Sequence, residues 1–166
     1  AGAFGASLNI QSDALETTPY AELNNTFGSY NTWKNTVKVG SGLINNKFAF
    51  NTRLSKISSD GYIDRATSDL KSFYCDAGYY GNKHQLKATI FSGKEKTYQA
   101  WDGVPEELLE TNRRYNGFDY ENQTDNYTQT HHHLHYNYFA SERTTLNIAF
   151  HYTRGRGYYE EYRKGQ

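Results

Sequence analysis

The feature that most constrains this chain is a two-residue rhythm of side chains that returns in one segment after another. Phe48, Phe50, Thr52 and Leu54 point one way while Asn51, Arg53 and Ser55 point the other. Phe73, Cys75, Ala77 and Tyr79 alternate with Ser72, Tyr74 and Asp76, and Leu86, Ala88 and Ile90 with Lys87, Thr89 and Phe91. Leu146, Ile148, Phe150 and Tyr152 alternate with Asn147, Ala149, His151 and Thr153. Successive residues of a strand face opposite sides, so this is how strands read when one face is apolar and the other wet. The rhythm predicts strands near 4–10, 19–29, 32–43, 46–58, 68–80, 84–98, 126–140 and 143–157.

The connections alternate in length. Residues 44–47, 80–83 and 140–143 are short and rich in Asn, Gly and Ser, as hairpin turns require, whereas 59–67 and 99–125 are long. The expected fold is therefore all-β, an antiparallel up-and-down meander. One interruption is expected, a helix of one to three turns inside 104–115. There Pro105 stands at the first turn, Glu106, Glu107 and Glu110 lie near its positive end, and Arg113 and Arg114 near its negative end.

Composition narrows what such a sheet is for. Only 36% of residues are apolar, yet 16% are aromatic, with 16 tyrosines. A water-soluble globule of this length needs more aliphatic interior, whereas a barrel wall with a wet lumen needs apolar residues on one side only. No apolar run approaches the roughly 20 residues of a membrane-spanning helix, so a membrane would be crossed by strands. Eighteen basic residues balance 18 acidic ones, which leaves no electrostatic case for nucleic acid. The single cysteine, Cys75, excludes an internal disulfide and reads as a small wall residue. Methionine is absent even from position 1, and both ends fall inside patterned sequence, so the chain is expected to be a segment of a longer protein.

The opening Ala1-Gly2-Ala3-Phe4-Gly5-Ala6-Ser7-Leu8-Asn9-Ile10 resembles the closing strand of the plug in TonB-dependent outer-membrane receptors. Thr18-Pro19-Tyr20-Ala21-Glu22-Leu23 is similar to the start of the first barrel strand, and Asn45-Asn46-Lys47-Phe48-Ala49-Phe50 to a periplasmic turn with the strand after it. Gly61-Tyr62-Ile63-Asp64-Arg65 resembles an early extracellular loop, and Thr153-Arg154-Gly155-Arg156-Gly157-Tyr158-Tyr159-Glu160-Glu161-Tyr162 a strand top of Bacteroidetes members. The resemblance implies that 1–17 is the end of a plug domain and its connection, and that 18–166 is the N-terminal part of a 22-stranded transmembrane β-barrel. It implies uptake of a scarce ligand (a ferric siderophore, haem, cobalamin or a glycan) driven through TonB. The implied partners are outer-membrane lipid, the remaining barrel and plug, TonB acting through an N-terminal part not in this sequence, and the ligand itself. It implies no cofactor. The energy-coupling box and most of the plug and barrel are missing from these residues, so this segment alone would not transport.

Candidate site residues are sparse. Trp101, Arg113, Arg114, Tyr115 and Tyr120 share the long loop, where guanidinium groups among aromatics suit an anionic chelate or a sugar. Arg113 and Arg114 serve equally well to cap the loop helix and pair with Glu106, Glu107 or Glu110. His131, His133 and His135 would share one strand face and are weak candidates for a transition-metal site, but same-face neighbours stand about 6.6 Å apart, so three nitrogens do not easily reach one ion without help from adjacent strands. They are read as a polar inner wall, with His132 facing outward. Asp60, Asp64 and Asp69 match no calcium-loop spacing. No phosphate loop, nucleophile elbow or CxxC pair is present, so the expectation is of no enzyme. Two other readings remain: a complete eight-stranded outer-membrane barrel with a structural or adhesive role, and a soluble β-sandwich binding module.

Overall fold

The computed structural model describes residues 16–162. They form one seven-stranded antiparallel sheet in which every strand pairs with its neighbours in sequence. The strands are β1 (Pro19–Gly28), β2 (Thr32–Ser41), β3 (Phe48–Ser59), β4 (Ser68–Tyr80), β5 (His84–Tyr98), β6 (Thr124–Ser141) and β7 (Thr144–Tyr159). The meander is as the alternation predicts; the strand predicted over 4–10 lies outside the described residues. No pairing joins β7 to β1 among the described residues, so the sheet has two edges.

Local chemistry sets the boundaries. In the β2–β3 connection Asn45 and Asn46 both adopt positive φ, at 50° and 55°, and Lys47 N donates to Ile44 O at 3.0 Å. That is a hairpin turn whose twist matches the strands, and Asn tolerates it better than most side chains. β2 stops two residues short of the predicted 43 because Gly42 has φ +63°, where a Cβ would sit 2.6 Å from the Pro19 nitrogen. The β6–β7 hairpin carries a register shift between Phe139 and Ser141. In the long loop the helix amounts to a single 3₁₀ turn, Glu106–Leu108, following Pro105.

Register and alternation divide the sheet into two faces. One row of paired residues runs Leu23, Val37, Leu54, Phe73, Ser92, Thr130 and Arg154 from β1 to β7. The next row toward the short turns runs Ala21, Val39, Thr52, Cys75, Ile90, His132 and Tyr152. Beyond it come Phe50, Ala77, Ala88, Leu134 and Phe150, then Phe48, Tyr79, Leu86, Tyr136 and Ile148. This face is apolar and uncovered: Phe27 and Phe150 are 67% and 65% exposed, and Leu54, Phe50 and Leu146 are exposed as well.

The opposite face is polar and makes contacts within the sheet. Asn51 Nδ2 donates to Asp76 Oδ1 at 2.8 Å, Tyr74 Oη donates to Asp76 Oδ2 at 2.7 Å, and Lys87 Nζ lies 3.2 Å from the same oxygen. Thr36 and Ser55 hydroxyls meet at 3.1 Å. Asp76, Thr36 and Thr89 are buried, whereas Ala49 and Tyr98 are the only buried large or methyl-bearing apolar residues among those described. Among the described residues what burial exists is chiefly polar, and the apolar side chains have no interior to enter.

Candidate functional site

The two long connections lie at the same end of the sheet, and they are tied together. Arg65, at φ +65°, donates from Nε to Phe118 O at 2.9 Å and from Nη2 to Asn116 O at 2.7 Å. Arg114 returns the link, with Nε donating to Tyr62 O at 3.0 Å and lying 3.3 Å from Asp64 Oδ1. Asp64 N donates to Arg114 O at 2.8 Å. Between the loops, Asn116 Nδ2 donates to Asp64 O at 2.9 Å and to Gln99 O at 3.0 Å, while its Oδ1 accepts from Phe118 N at 3.1 Å. Gln99 is 1% exposed and donates from Nε2 to Glu160 O at 2.9 Å, fastening the loop to the end of β7. Buried side chains that satisfy backbone carbonyls in this way hold loops which have no apolar core of their own.

On this platform stand the predicted ligand residues. Trp101 is 57% exposed and meets Phe118 and Tyr159 edge-on, at 6.3 and 5.6 Å. Tyr120 is exposed and stacks on Tyr162 at 5.3 Å, and Tyr115 is exposed nearby in sequence. Arg113 donates to Leu109 O at 2.7 Å and pairs with Glu110 at 3.6 Å, both contacts within its own loop. Arg114 is spent on the neighbouring loop. The structure thus joins Trp101 to an aromatic patch and Tyr120 to Tyr162, and turns both arginines to holding the loops. Such a surface offers ring faces to a sugar or planar ligand, with little uncommitted positive charge for an anion.

Sequence reasoning missed Arg65, Gln99, Asn116, Phe118 and Tyr159. For Arg65 a signal existed, because Gly61-Tyr62-Ile63-Asp64-Arg65 was singled out as loop sequence; nothing marked Asn116 as its partner. A small polar cleft of about 210 Å³ also opens at this end, beside Asn31, Asp60, Asp69 and Lys96.

His131, His133 and His135 do share the polar face, with neighbouring rings 6.1 and 6.2 Å apart and nearly perpendicular. His131 stacks on Phe91 at 4.4 Å and its Nδ1 lies 2.9 Å from Thr153 Oγ1. His151 stands directly across from His133 and joins the group. His132 lies on the apolar face against Tyr152. Among the described residues no set of three or more His, Cys, Asp and Glu side chains is arranged to hold a metal ion. No protein-family model, curated protein or solved structure matches this chain.

Proposed function

We propose that this chain forms an early part of the wall of a large outer-membrane β-barrel, and that the barrel is a TonB-dependent receptor importing a scarce ligand such as a ferric siderophore, haem, cobalamin or a glycan. The observation that carries the reading is the shape of the apolar face. On β3, β4 and β5 it extends from Phe48, Tyr79 and Leu86 to a row of lysines at positions 56, 71 and 94, nine residues on each strand with the lysine counted. A transmembrane strand needs about 9–11 residues to cross the hydrocarbon. At its short-turn edge the face ends in rings: Phe48 meets Tyr79 at 5.3 Å, and His84 stacks on Tyr138 at 4.9 Å. Aromatic girdles mark such boundaries in membrane barrels.

The band also drifts across the sheet. On β2 its last aliphatic residue toward the short turns is Val39, whose row reaches β6 at His132. On β7 it is Leu146, paired with Tyr138, six residues farther along β6. The edge stays in one row across β3, β4 and β5. Its whole shift of six residues over the five steps from β2 to β7, at ~3.3 Å per residue and ~4.8 Å per strand, corresponds to a mean strand tilt of about 40° to the band. Barrel strands tilt by roughly 35–45°. An eight-stranded barrel would need a strand to close onto β1, and a sandwich would need a second sheet over the apolar face; neither contact occurs among the described residues.

In this reading the exposed Trp101 patch lines the ligand mouth, and the function is transport rather than catalysis. The test is the protein taken from native outer membranes without proteolysis. Its intact mass should be several times that of these 166 residues, it should migrate as a heat-modifiable barrel, and cells lacking it should fail to accumulate one labelled ligand of the four classes in an uncoupler-sensitive way. A native chain ending near Gln166, or a form soluble without detergent, defeats the proposal.

A further inference from the structure

Four of the chain's six histidines gather on one patch of the polar face: His131, His133 and His135 on β6 and His151 on β7. We infer that His131, His133 and His151 form a binding site for a divalent transition-metal ion that prefers imidazole (copper, nickel or zinc), independently of the receptor reading. Imidazoles at alternate positions of one strand share a face, yet three in a line do not close on one ion. The register of β6 and β7 supplies what is lacking. His151 lies directly across from His133, where Cβ atoms are about 5 Å apart, and diagonally from His131. The three imidazoles thus occupy the corners of a triangle on two strands.

A nitrogen bound at about 2.0–2.1 Å puts the ion about 3.2 Å from its ring centroid, so two ligating rings have centroids roughly 5–6 Å apart. His131 and His133 stand 6.1 Å apart by the same measure. As they stand these two rings are nearly perpendicular, and no three converge. The backbone spacing is in place, and what the ion draws out is rotation of the rings about their side-chain bonds. His131 is the most firmly held. Its ring stacks on Phe91 at 4.4 Å and 13°, and its Nδ1 meets the Thr153 hydroxyl at 2.9 Å. With that hydroxyl accepting from Nδ1–H, the lone pair lies on Nε2, which is how an outer oxygen orients a metal-bound imidazole. His135 differs, because Lys87 stands opposite it on β5 and Ala149 on β7, and an ammonium at that position opposes a second cation. The donors select the metal. The carboxylate in the row of His133 is Asp76, two strands away and engaged by Asn51, Tyr74 and Lys87. Nitrogen donors without carboxylate suit copper, nickel and zinc and disfavour calcium and magnesium.

The experiment uses the full-length protein in detergent, without a histidine tag and stripped by a chelator, titrated with Cu²⁺ alone. Bound copper should show electron paramagnetic resonance splittings from two or three nitrogens. Ascorbate and hydrogen peroxide are then added, so that the copper oxidises the imidazoles that hold it, and the products are mapped by mass spectrometry. Oxidation should concentrate on His131, His133 and His151 and spare His132, which lies on the opposite face. The variant H133N/H151N should bind one copper fewer than the unaltered protein, whereas H132N should bind as many. Thr153→Val should weaken binding roughly 10-fold, as loss of an outer partner of a metal-bound imidazole does. Oxidation of His132 equal to that of the three overturns the inference without requiring any variant to fold. So does an H133N/H151N protein that binds as many ions as the unaltered one. A native chain that proves to be no receptor defeats the reading above and leaves both of these outcomes open to measurement.

Discussion

The two faces of this sheet draw on the same backbone and the same strands, yet they solve opposite problems. On the polar face Asp76 gathers Asn51, Tyr74 and Lys87 into a buried knot, and hydroxyls pair across strands at Thr36–Ser55 and Thr32–Ser59. On the apolar face large side chains meet neighbours within the sheet, as Phe27 does Trp33 at 4.7 Å, and many remain exposed. The difference teaches that stability here has two sources. One face carries its hydrogen bonds with it, whereas the other gains free energy only when something apolar covers it.

The widest separation between the faces should come from placing charge in the middle of the band. Phe50→Arg or Phe150→Arg is expected to cost about 2–4 kcal/mol in folding into lipid vesicles, while Thr153→Lys on the polar face should cost below about 1 kcal/mol. Urea titration of vesicle-inserted protein measures both, and equal costs would break the distinction between a lipid face and a wet face. A smaller loss is expected at the polar knot. Asp76→Ala removes the acceptor shared by Asn51 and Tyr74 and the anion beside Lys87, which should cost about 2 kcal/mol; Asp76→Asn should recover part of it. If Asp76→Ala matched the unaltered protein in the same titration, the knot would contribute nothing to holding the wall. The smallest global effect belongs to the loops. Asn116→Ala should lower the unfolding free energy by roughly 1 kcal/mol or less while sharply accelerating proteolysis within 99–123. Unchanged cleavage there would mean that the links from Arg65 and Arg114 hold the loops without it.

Much of the sheet was legible in the sequence because its determinants are local and periodic. Phe48, Phe50 and Leu54, or Leu146, Ile148 and Phe150, declare a face by spacing alone, and Asn45-Asn46 declares a turn by its tolerance of positive φ. The loop platform was not legible. Its contacts join a side chain to the backbone of a distant residue, as Arg65 does to the carbonyls of Asn116 and Phe118, and such bonds leave no rhythm. Nor was the cationic row, although each lysine falls on the same parity as the apolar run of its strand. Whether Lys56, Lys71 and Lys94 fall side by side depends on the register of two hairpins, which is fixed only when turns and faces are satisfied together.

The strictly sequential pairing has a consequence for assembly. A meander grows by adding each new strand to the one before, so every hairpin from β1–β2 to β6–β7 can form as soon as its own residues are at hand. The outer edge of β1 has no such neighbour among the described residues, and in the proposed barrel it would wait for the closing strand. During that wait its unpaired amides are an invitation to pair with another chain. The composition of β1 answers this: Glu22, Asn24, Asn25 and Thr26 stand at its centre with Pro19 at its start, a poor template for stray strands. In the proposed barrel, the strand that waits longest is thus poorly suited to recruiting the wrong partner.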